Sequence, residues 1–312
     1  MSCLDIDGSV LEGGGQILRN SISLSAILGI PIRVMNIRAG RSKPGLAAQH
    51  LKGIQLVAEM CNAKLKGANI GSTEIEFTPG KIRGGHYLAD TQTAGSISLL
   101  LQVALPCALM ADGHVTLDLK GGTNADMAPQ IDYMDKVFKS TLQKFNADFT
   151  LKMHRRGYFP RGGGHVTVGV APVRSLAAAN LTTRGELLGV KGWSFVAGTL
   201  PLKLAYEMRD AARDELGALR SPHLDIHCYK EDRSFAPDNC SGIILRGETS
   251  SGCALGADAL GRRGVRAHEV GARAAAELRG ALQGGACLDP HAQDQVIIYM
   301  ALAEGESAAR DA

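Results

Sequence analysis

The feature that most narrows what this chain can fold into is an order of elements that occurs twice. The segment EGGGQILRNSISLSAIL, beginning at Glu12, can be laid beside TAGSISLLLQVALPCAL, beginning at Thr93. Each puts a glycine turn before an apolar helix, and each is followed by a strand, a further glycine-containing turn and a second helix. Few identities accompany the match, so the repetition lies in the succession of elements. Two helices over one face of a small sheet leave an apolar surface that must be covered, most simply by another such module. The chain is therefore expected to be built from repeated α/β modules.

Taken in order, residues 1–80 read as strand, glycine turn, helix, strand, basic turn, helix and strand. The first helix carries Leu18, Ile22 and Leu28 on its apolar positions and stops at Gly29, ahead of Pro31. A second unit follows Gly80. The segment RRGYFPRGGGHVTVGVAPV, from Arg155, gives a glycine turn and a strand with Val166, Val168 and Val170 alternating against His165, Thr167 and Gly169. This strand is expected to open a third module. The composition changes near Arg184, and residues 184–284 read as an inserted smaller domain. Within it, strands are expected near 193–196, at 224–230 and at 242–247, with helices over about 200–216 and 268–282. The expected division is thus 1–183 for modules one, two and the start of three, 184–284 for the insert, and 285–312 for the remainder of the third module and a disordered tail. The apolar run 296–302 reads as a buried strand or a short helix.

Chemistry concentrates in the basic turn, RAGRSKPGLAAQH at residues 38–50. Gly40, Pro44 and Gly45 break regular structure, and a helix begins by about Leu46. Free N–H groups at a helix N-terminus beside guanidinium forks form a favourable anion site, and the forks match phosphate oxygens bidentately. A solvated basic loop is the plainer alternative. The net charge of +3 is too small for general nucleic-acid binding, so the patch of Arg33, Arg38, Arg41, Lys43 and Lys52 must act locally. Aromatic residues make up only 4%, which argues against recognition mainly by base stacking. Seven scattered cysteines without a CxxC pair suggest neither a disulfide framework nor a zinc site. No basic leader with an apolar run and no bilayer-length apolar stretch is present, so a soluble, non-secreted protein is expected.

EGGGQILR alone is weak: it lacks the Gly-Lys-Ser/Thr end of a Walker A loop and the spaced glycines of a dinucleotide fold. Together, however, EGGGQILR, IRAGRSKPGLAAQHL, GGTNADMAPQIDY, RGYFPRGGG, ETSSGCALGADALG and QDQVIIYMALAEG occur in an order that resembles the RNA 3′-terminal phosphate cyclases over about residues 4–307. The GGTN…APQIDY wording looks eukaryotic. The resemblance implies an α+β fold of repeated two-helix plus four-stranded-sheet modules, similar to the C-terminal domain of translation initiation factor 3, with an inserted smaller α/β domain and a truncated third module. It implies a ligase of RNA processing that uses ATP and Mg2+ or Mn2+ to convert an RNA 3′-phosphate into a 2′,3′-cyclic phosphate. The family adenylylates a histidine, passes AMP to the RNA 3′-phosphate, and expels AMP by attack of the 2′-hydroxyl.

Carried onto this chain by the resemblance, Glu12 is a metal ligand, and Arg19, Arg38, Arg41, Gln49 and His50 line the phosphate and RNA site. Gln102, Pro129, His291, Asp294 and Gln295 are nucleotide-binding; His291 stands near where the family has a tyrosine. No catalytic residue is assigned, because the family's nucleophilic histidine is expected beyond Ala312. The partners implied are RNA 3′ ends and ATP, without a membrane, in the nucleoplasm. The alternative is a catalytically inactive cyclase-like protein of RNA binding or ribosome assembly. Retention of Arg38, Arg41, Gln49, His50, Asp294 and Gln295 favours the enzyme. A relation to the carboxyvinyl transferases of aromatic amino-acid synthesis is weaker, since cyclase-type motifs run throughout.

Overall fold

The computed structural model describes residues 3–10, 13–219 and 223–311. The chain divides into two compact units, one of Met1–Gly122, Phe149–His154 and Pro160–Arg174, the other of Thr123–Asp148, Arg155–Phe159 and Ser175–Ala312.

The first unit begins β1 (Leu4–Asp7), α1 (Gly15–Leu28), β2 (Ile32–Met35), α2 (Ala48–Cys61), β3 (Lys64–Lys66) and β4 (Ile75–Thr78). Its sheet runs β1-β2-β4-β3, with β1 and β2 parallel and the other pairs antiparallel. Then come β5 (Gly85–Asp90), α3 (Ile97–Leu109), β6 (Val115–Gly121), β7 (Thr150–Arg155) and β8 (Gly164–Val170), in a sheet ordered β5-β6-β8-β7. Its order is that of the first sheet displaced by four strands, and β5 and β6 are again parallel with β8 antiparallel to β6. The repeat read from the succession of elements is thus a repeat of topology.

Local chemistry sets these elements. Gly29 closes α1 in the left-handed conformation, its N–H reaching the Ser25 carbonyl. The Ser96 hydroxyl caps α3 by accepting from the Leu99 N–H. Helix α3 has no polar face because it is enclosed: Leu100, Leu101, Leu105 and Leu109 are each 1% exposed or less. At roughly 1.5–3 kcal/mol for each fully buried leucine, α3 is the main apolar anchor of this unit.

The strand expected to open a third module does something else. It is β8, and it completes the second sheet by pairing with β6 over Val115↔Val170 to Gly121↔Gly164. Its alternation correctly puts Val166, Val168 and Val170 inward, but a period of two names a buried face and not the sheet that supplies it.

The second unit comprises α4 (Ile131–Tyr133), continued by a π-turn at Met134–Phe138 into α5 (Lys139–Gln143), then β9 (Leu176–Ala177), β10 (Asn180–Leu181), β11 (Leu187–Ala197), α6 (Lys203–Leu216), β12 (Leu224–Lys230), β13 (Cys240–Thr249), β14 (Ala254–Leu260), α7 (Ala267–Gln283), α8 (Pro290–Leu302), β15 (Ala303–Glu304) and β16 (Ala308–Ala309). A sheet ordered β12-β11-β13-β14 carries β11 and β12 parallel and the rest antiparallel. Helix α7 buries Val270, Ala274, Leu278 and Leu282. It lies so close to α6 that a Cβ on Gly271 would stand 2.0 Å from the Met208 carbonyl oxygen. Buried Arg156 joins two carboxylates, contacting Asp132 and donating from Nε to Glu231 Oε1 at 2.9 Å.

At the chain end, one expectation is narrowed and one changes. The run 296–302 belongs to a helix, begun by the Asp289 carboxylate accepting from the His291 and Ala292 N–H groups, with Pro290 at its start. The tail expected to be disordered is paired as far as Arg310: β15 lies parallel to β9, β16 lies parallel to β10, and the Arg310 N–H donates to the Leu181 carbonyl at 2.9 Å. Backbone pairing needs no apolar side chains, so a polar tail conceals it.

Candidate functional site

The basic turn leads from β2 to α2. Arg38 takes a left-handed conformation, φ 55°, and its Nη1 donates to the Gly45 carbonyl at 2.9 Å. Gly45, at φ +81°, approaches Gly71 so closely that a Cβ would meet its carbonyl oxygen at 2.2 Å; no other residue fits. The turn runs into α2, where His50 folds back and its Nδ1 accepts the Ala47 N–H at 3.3 Å. Because Nδ1 is the acceptor, the proton of the neutral ring sits on Nε2. Burial first, then the Arg38 and Arg19 charges, hold His50 down at a pKa of about 4. At neutral pH it is therefore an uncharged N–H donor.

That donor faces the start of α1. The N-cap, Gly14, supplies no side-chain acceptor and the first turn holds no acid, so the opening N–H groups carry the positive end of the helix dipole uncompensated by a nearby carboxylate in that turn. A Cβ on Gly15 would stand 2.6 Å from His50 Nε2 and 3.1 Å from Arg19 Nη1, and one on Gly14 would stand 3.3 Å from Arg41 Nη2. Arg19, Arg41 and His50 are thus brought to one helix end, with Arg38 close enough to shift the histidine. Arg19 Nη2 also donates to Gln16 Oε1 at 3.0 Å, which fixes the guanidinium plane. Such an arrangement can hold a phosphoryl group through backbone N–H groups, a neutral N–H and guanidinium forks, in hydrogen bonds to a charged acceptor worth roughly 1.5–3 kcal/mol each.

Gln49 plays a different part from the arginines. Its Oε1 accepts from the Ser96 N–H at 2.8 Å, tying α2 to the N-cap of α3. Beside it, Arg19, Gln49 and His50 line a pocket whose apolar wall is Leu18, Leu99 and Val103. Gln102 is half-buried on α3 and does not line that pocket. Glu12, expected to hold a metal, lies outside the described residues.

The remaining expected residues belong to the second unit. His291 and Gln295 share one face of the first turns of α8, Gln295 Nε2 donating to the His291 carbonyl at 2.7 Å. Asp294, on the same helix, is exposed. The His291 ring meets Tyr133 edge-on at 5.2 Å and lies 3.9 Å from the Asp258 carboxylate. Pro129 precedes Gln130, whose N–H donates to that same carboxylate at 3.0 Å. His291 Nε2, Gln293 Oε1 and Gln295 Oε1 are buried without a hydrogen-bond partner, and such atoms are costly unless something else satisfies them.

Sequence reasoning missed the support beneath this helix. Asp289 is fully buried and accepts from the Tyr133 hydroxyl at 2.7 Å and the Gly256 N–H at 2.7 Å; burial pushes its carboxyl above the usual range, as it does that of Asp258. An Asp-Pro pair at a helix start was the available signal for Asp289. Nothing local distinguishes Asp258 from a surface acid. Gln16 was likewise missed, lying inside a motif read for its glycines.

A family model described as RNA 3'-terminal phosphate cyclase matches residues 10–312. Among curated relatives, a Drosophila melanogaster protein of that name is 42% identical over 308 residues, covering 98% of this chain and 85% of its own. One from Methanopyrus kandleri is 42% identical over 311 residues, 98% of this chain and 88% of its own. One from Caldivirga maquilingensis is 44% identical over 306 residues, 97% and 86% respectively.

Proposed function

Because the chain belongs to the RNA 3′-terminal phosphate cyclase family, we propose that it converts an RNA 3′-terminal phosphate into a 2′,3′-cyclic phosphate at the expense of ATP. The observation that carries this reading is the convergence of Arg19, Arg41 and His50 on the carboxylate-free first turn of α1. A cluster of fixed donors with no acid in that turn suits a group carrying several anionic oxygens.

The residues divide the work by their chemistry. Arg19 and Arg41 take phosphoryl oxygens through planar forks, and neutral His50 donates from Nε2 without losing a proton at physiological pH. Gln49 positions by holding α2 to α3. A divalent ion, Mg2+ or Mn2+, would neutralise developing charge on the triphosphate, with Glu12 as its protein ligand; such ions keep few protein carboxylates and lean on substrate phosphates, which fits a first turn that contains none. The adenine edge is assigned separately to the unsatisfied polar atoms of His291 and Gln295. Gln102, Pro129 and Asp294 are assigned to the nucleotide on resemblance alone, as is a nuclear location. No helix among the described residues is long and apolar enough to cross a membrane.

By the family resemblance, the α–β phosphoanhydride of ATP breaks as a histidine nitrogen takes AMP and pyrophosphate leaves, and no histidine of this chain is assigned that role. The RNA 3′-phosphate then takes AMP from that nitrogen, and the neighbouring 2′-hydroxyl attacks the activated phosphorus and releases AMP. The last step is intramolecular, which supplies much of its rate. The test is incubation of the chain with Mg2+, ATP labelled at the α-phosphate and RNA ending in a 3′-phosphate. Label on protein that acid removes and alkali spares, with a phosphatase-resistant RNA end, would support the full reaction and would make one of the nine histidines of this chain the nucleophile. ATP binding without label would retain the binding reading and remove the covalent one; neither binding nor label would refute both.

A further inference from the structure

The outward face of the second sheet holds a group of side chains that the proposed reaction does not use. Strand alternation turns Val166 and Val168 inward and leaves His86 of β5, Asp118 of β6, His154 of β7 and His165 of β8 on the solvent side, the histidines at 63%, exposed and 32% and the aspartate at 21% side-chain exposure. Asp118 stands opposite Thr167 in the β6–β8 register, while His165 sits one diagonal step away. The side chains lean toward one carboxylate. His86 Nε2 lies 2.6 Å from Asp118 Oδ2, and His165 Nε2 lies 3.2 Å from Oδ1. His154 Nε2 lies 2.8 Å from Thr167 Oγ1, which itself donates to Oδ1. The His154 and His165 rings stack with centroids 4.5 Å apart.

Hydrogen bonds hold His86 and His165 to Asp118, and a bond to Thr167 holds His154. Its ring lies along that of His165, so that one nitrogen of each and an oxygen of Asp118 fall within 4.8 Å of one another. Ligand atoms on a tetrahedral ion at 2.0–2.1 Å stand about 3.4 Å apart. The difference, about 1.5 Å, is within reach of side-chain rotation at an exposed sheet face, where no packed core resists it.

We propose that His154, His165 and Asp118 form a binding site for a divalent transition-metal ion of the zinc class, with His86 as a positioning residue that holds the second oxygen of Asp118. Two imidazoles and one carboxylate select zinc, nickel, cobalt or copper over magnesium, which keeps to oxygen ligands. Solvent completes the coordination. The ligands come from β6, β7 and β8, and β7 is the edge strand of that sheet, so the ion clamps an edge. Lys152, two residues from His154 on the same exposed strand, opposes binding by its charge. The site is independent of the ATP chemistry proposed above.

The test uses the full chain freed of metal by chelation, in buffer without ATP or magnesium, with zinc added and followed by calorimetry and thermal melting. The expected result is one equivalent bound, a higher melting temperature, and at least a roughly tenfold loss of affinity in the double variant His154→Ala/His165→Ala. His86→Gln should weaken binding by less than the double variant does. Circular dichroism confirms that the variants fold. Zinc binding of equal affinity in the double variant, or no zinc-dependent change in the parent chain, would overturn the proposal.

Discussion

Gly15→Ala separates the function of the α1 terminus from its stability. Gly15 is the first residue of α1 and is not in a left-handed conformation, so alanine there gains helix propensity, up to roughly 0.5–1 kcal/mol for an interior site and less at the first position. The added methyl would stand 2.6 Å from His50 Nε2, about 0.8 Å inside ordinary contact, and 3.1 Å from Arg19 Nη1. The arginine can swing; the histidine is tied through Nδ1 to the Ala47 N–H. The ring must therefore move off the helix end, costing one hydrogen bond to a charged ligand. That loss, roughly 1.5–3 kcal/mol, corresponds to a dissociation constant for ATP raised about 10- to 150-fold. Calorimetry with ATP and Mg2+ measures it, and a melt of the unliganded chain supplies the control. The reasoning fails if ATP affinity is unchanged, or if affinity falls only together with a collapse of the melting temperature.

Three further outcomes are expected. Arg156→Met leaves the buried Asp132 carboxylate and the half-buried Glu231 carboxylate without their cation and should cost about 3–5 kcal/mol in urea unfolding; a cost below about 1 kcal/mol would show that the network is solvated. Gly271→Ala drives a methyl into the Met208 carbonyl and should lower stability by at least about 1–3 kcal/mol, because the α6–α7 approach cannot widen locally; an unchanged melt would contradict that packing. His50 titrates near 4 when folded against 6.5 when unfolded, so the unfolded chain binds the additional proton between those values. Its contribution to stability is complete above about pH 6.5 and is lost as pH falls toward 4. His50→Gln should therefore flatten the decline in melting temperature over that window, and parallel curves for both proteins would refute the assignment.

The legibility of the chain varied with how local each signal was. Helix α7 and strand β12 stand within a residue of their expected bounds, because a clean apolar ladder and a glycine pair, or a polar strand between turns, are complete statements in themselves. The basic turn leading into a helix was legible for the same reason: its glycines, proline and arginines lie within a dozen residues. Less local matters were misread. The partner sheet of β8 depends on residues roughly fifty positions away, and the pairing of the tail with β9 and β10 on residues more than a hundred positions away.

By itself, then, the sequence determined the periodicities, the turns, the repeat and the inventory of donors, since each is set by steric and hydrogen-bonding preferences acting over a few residues. Only the tertiary structure decided that His50 is a neutral donor against Gly15, that Asp289 and Asp258 lie buried beneath α8, and that His154 and His165 meet over Asp118. Burial and the field of neighbouring charges fix the protonation state and reach of a side chain, and both are supplied by parts of the chain that are distant until it folds.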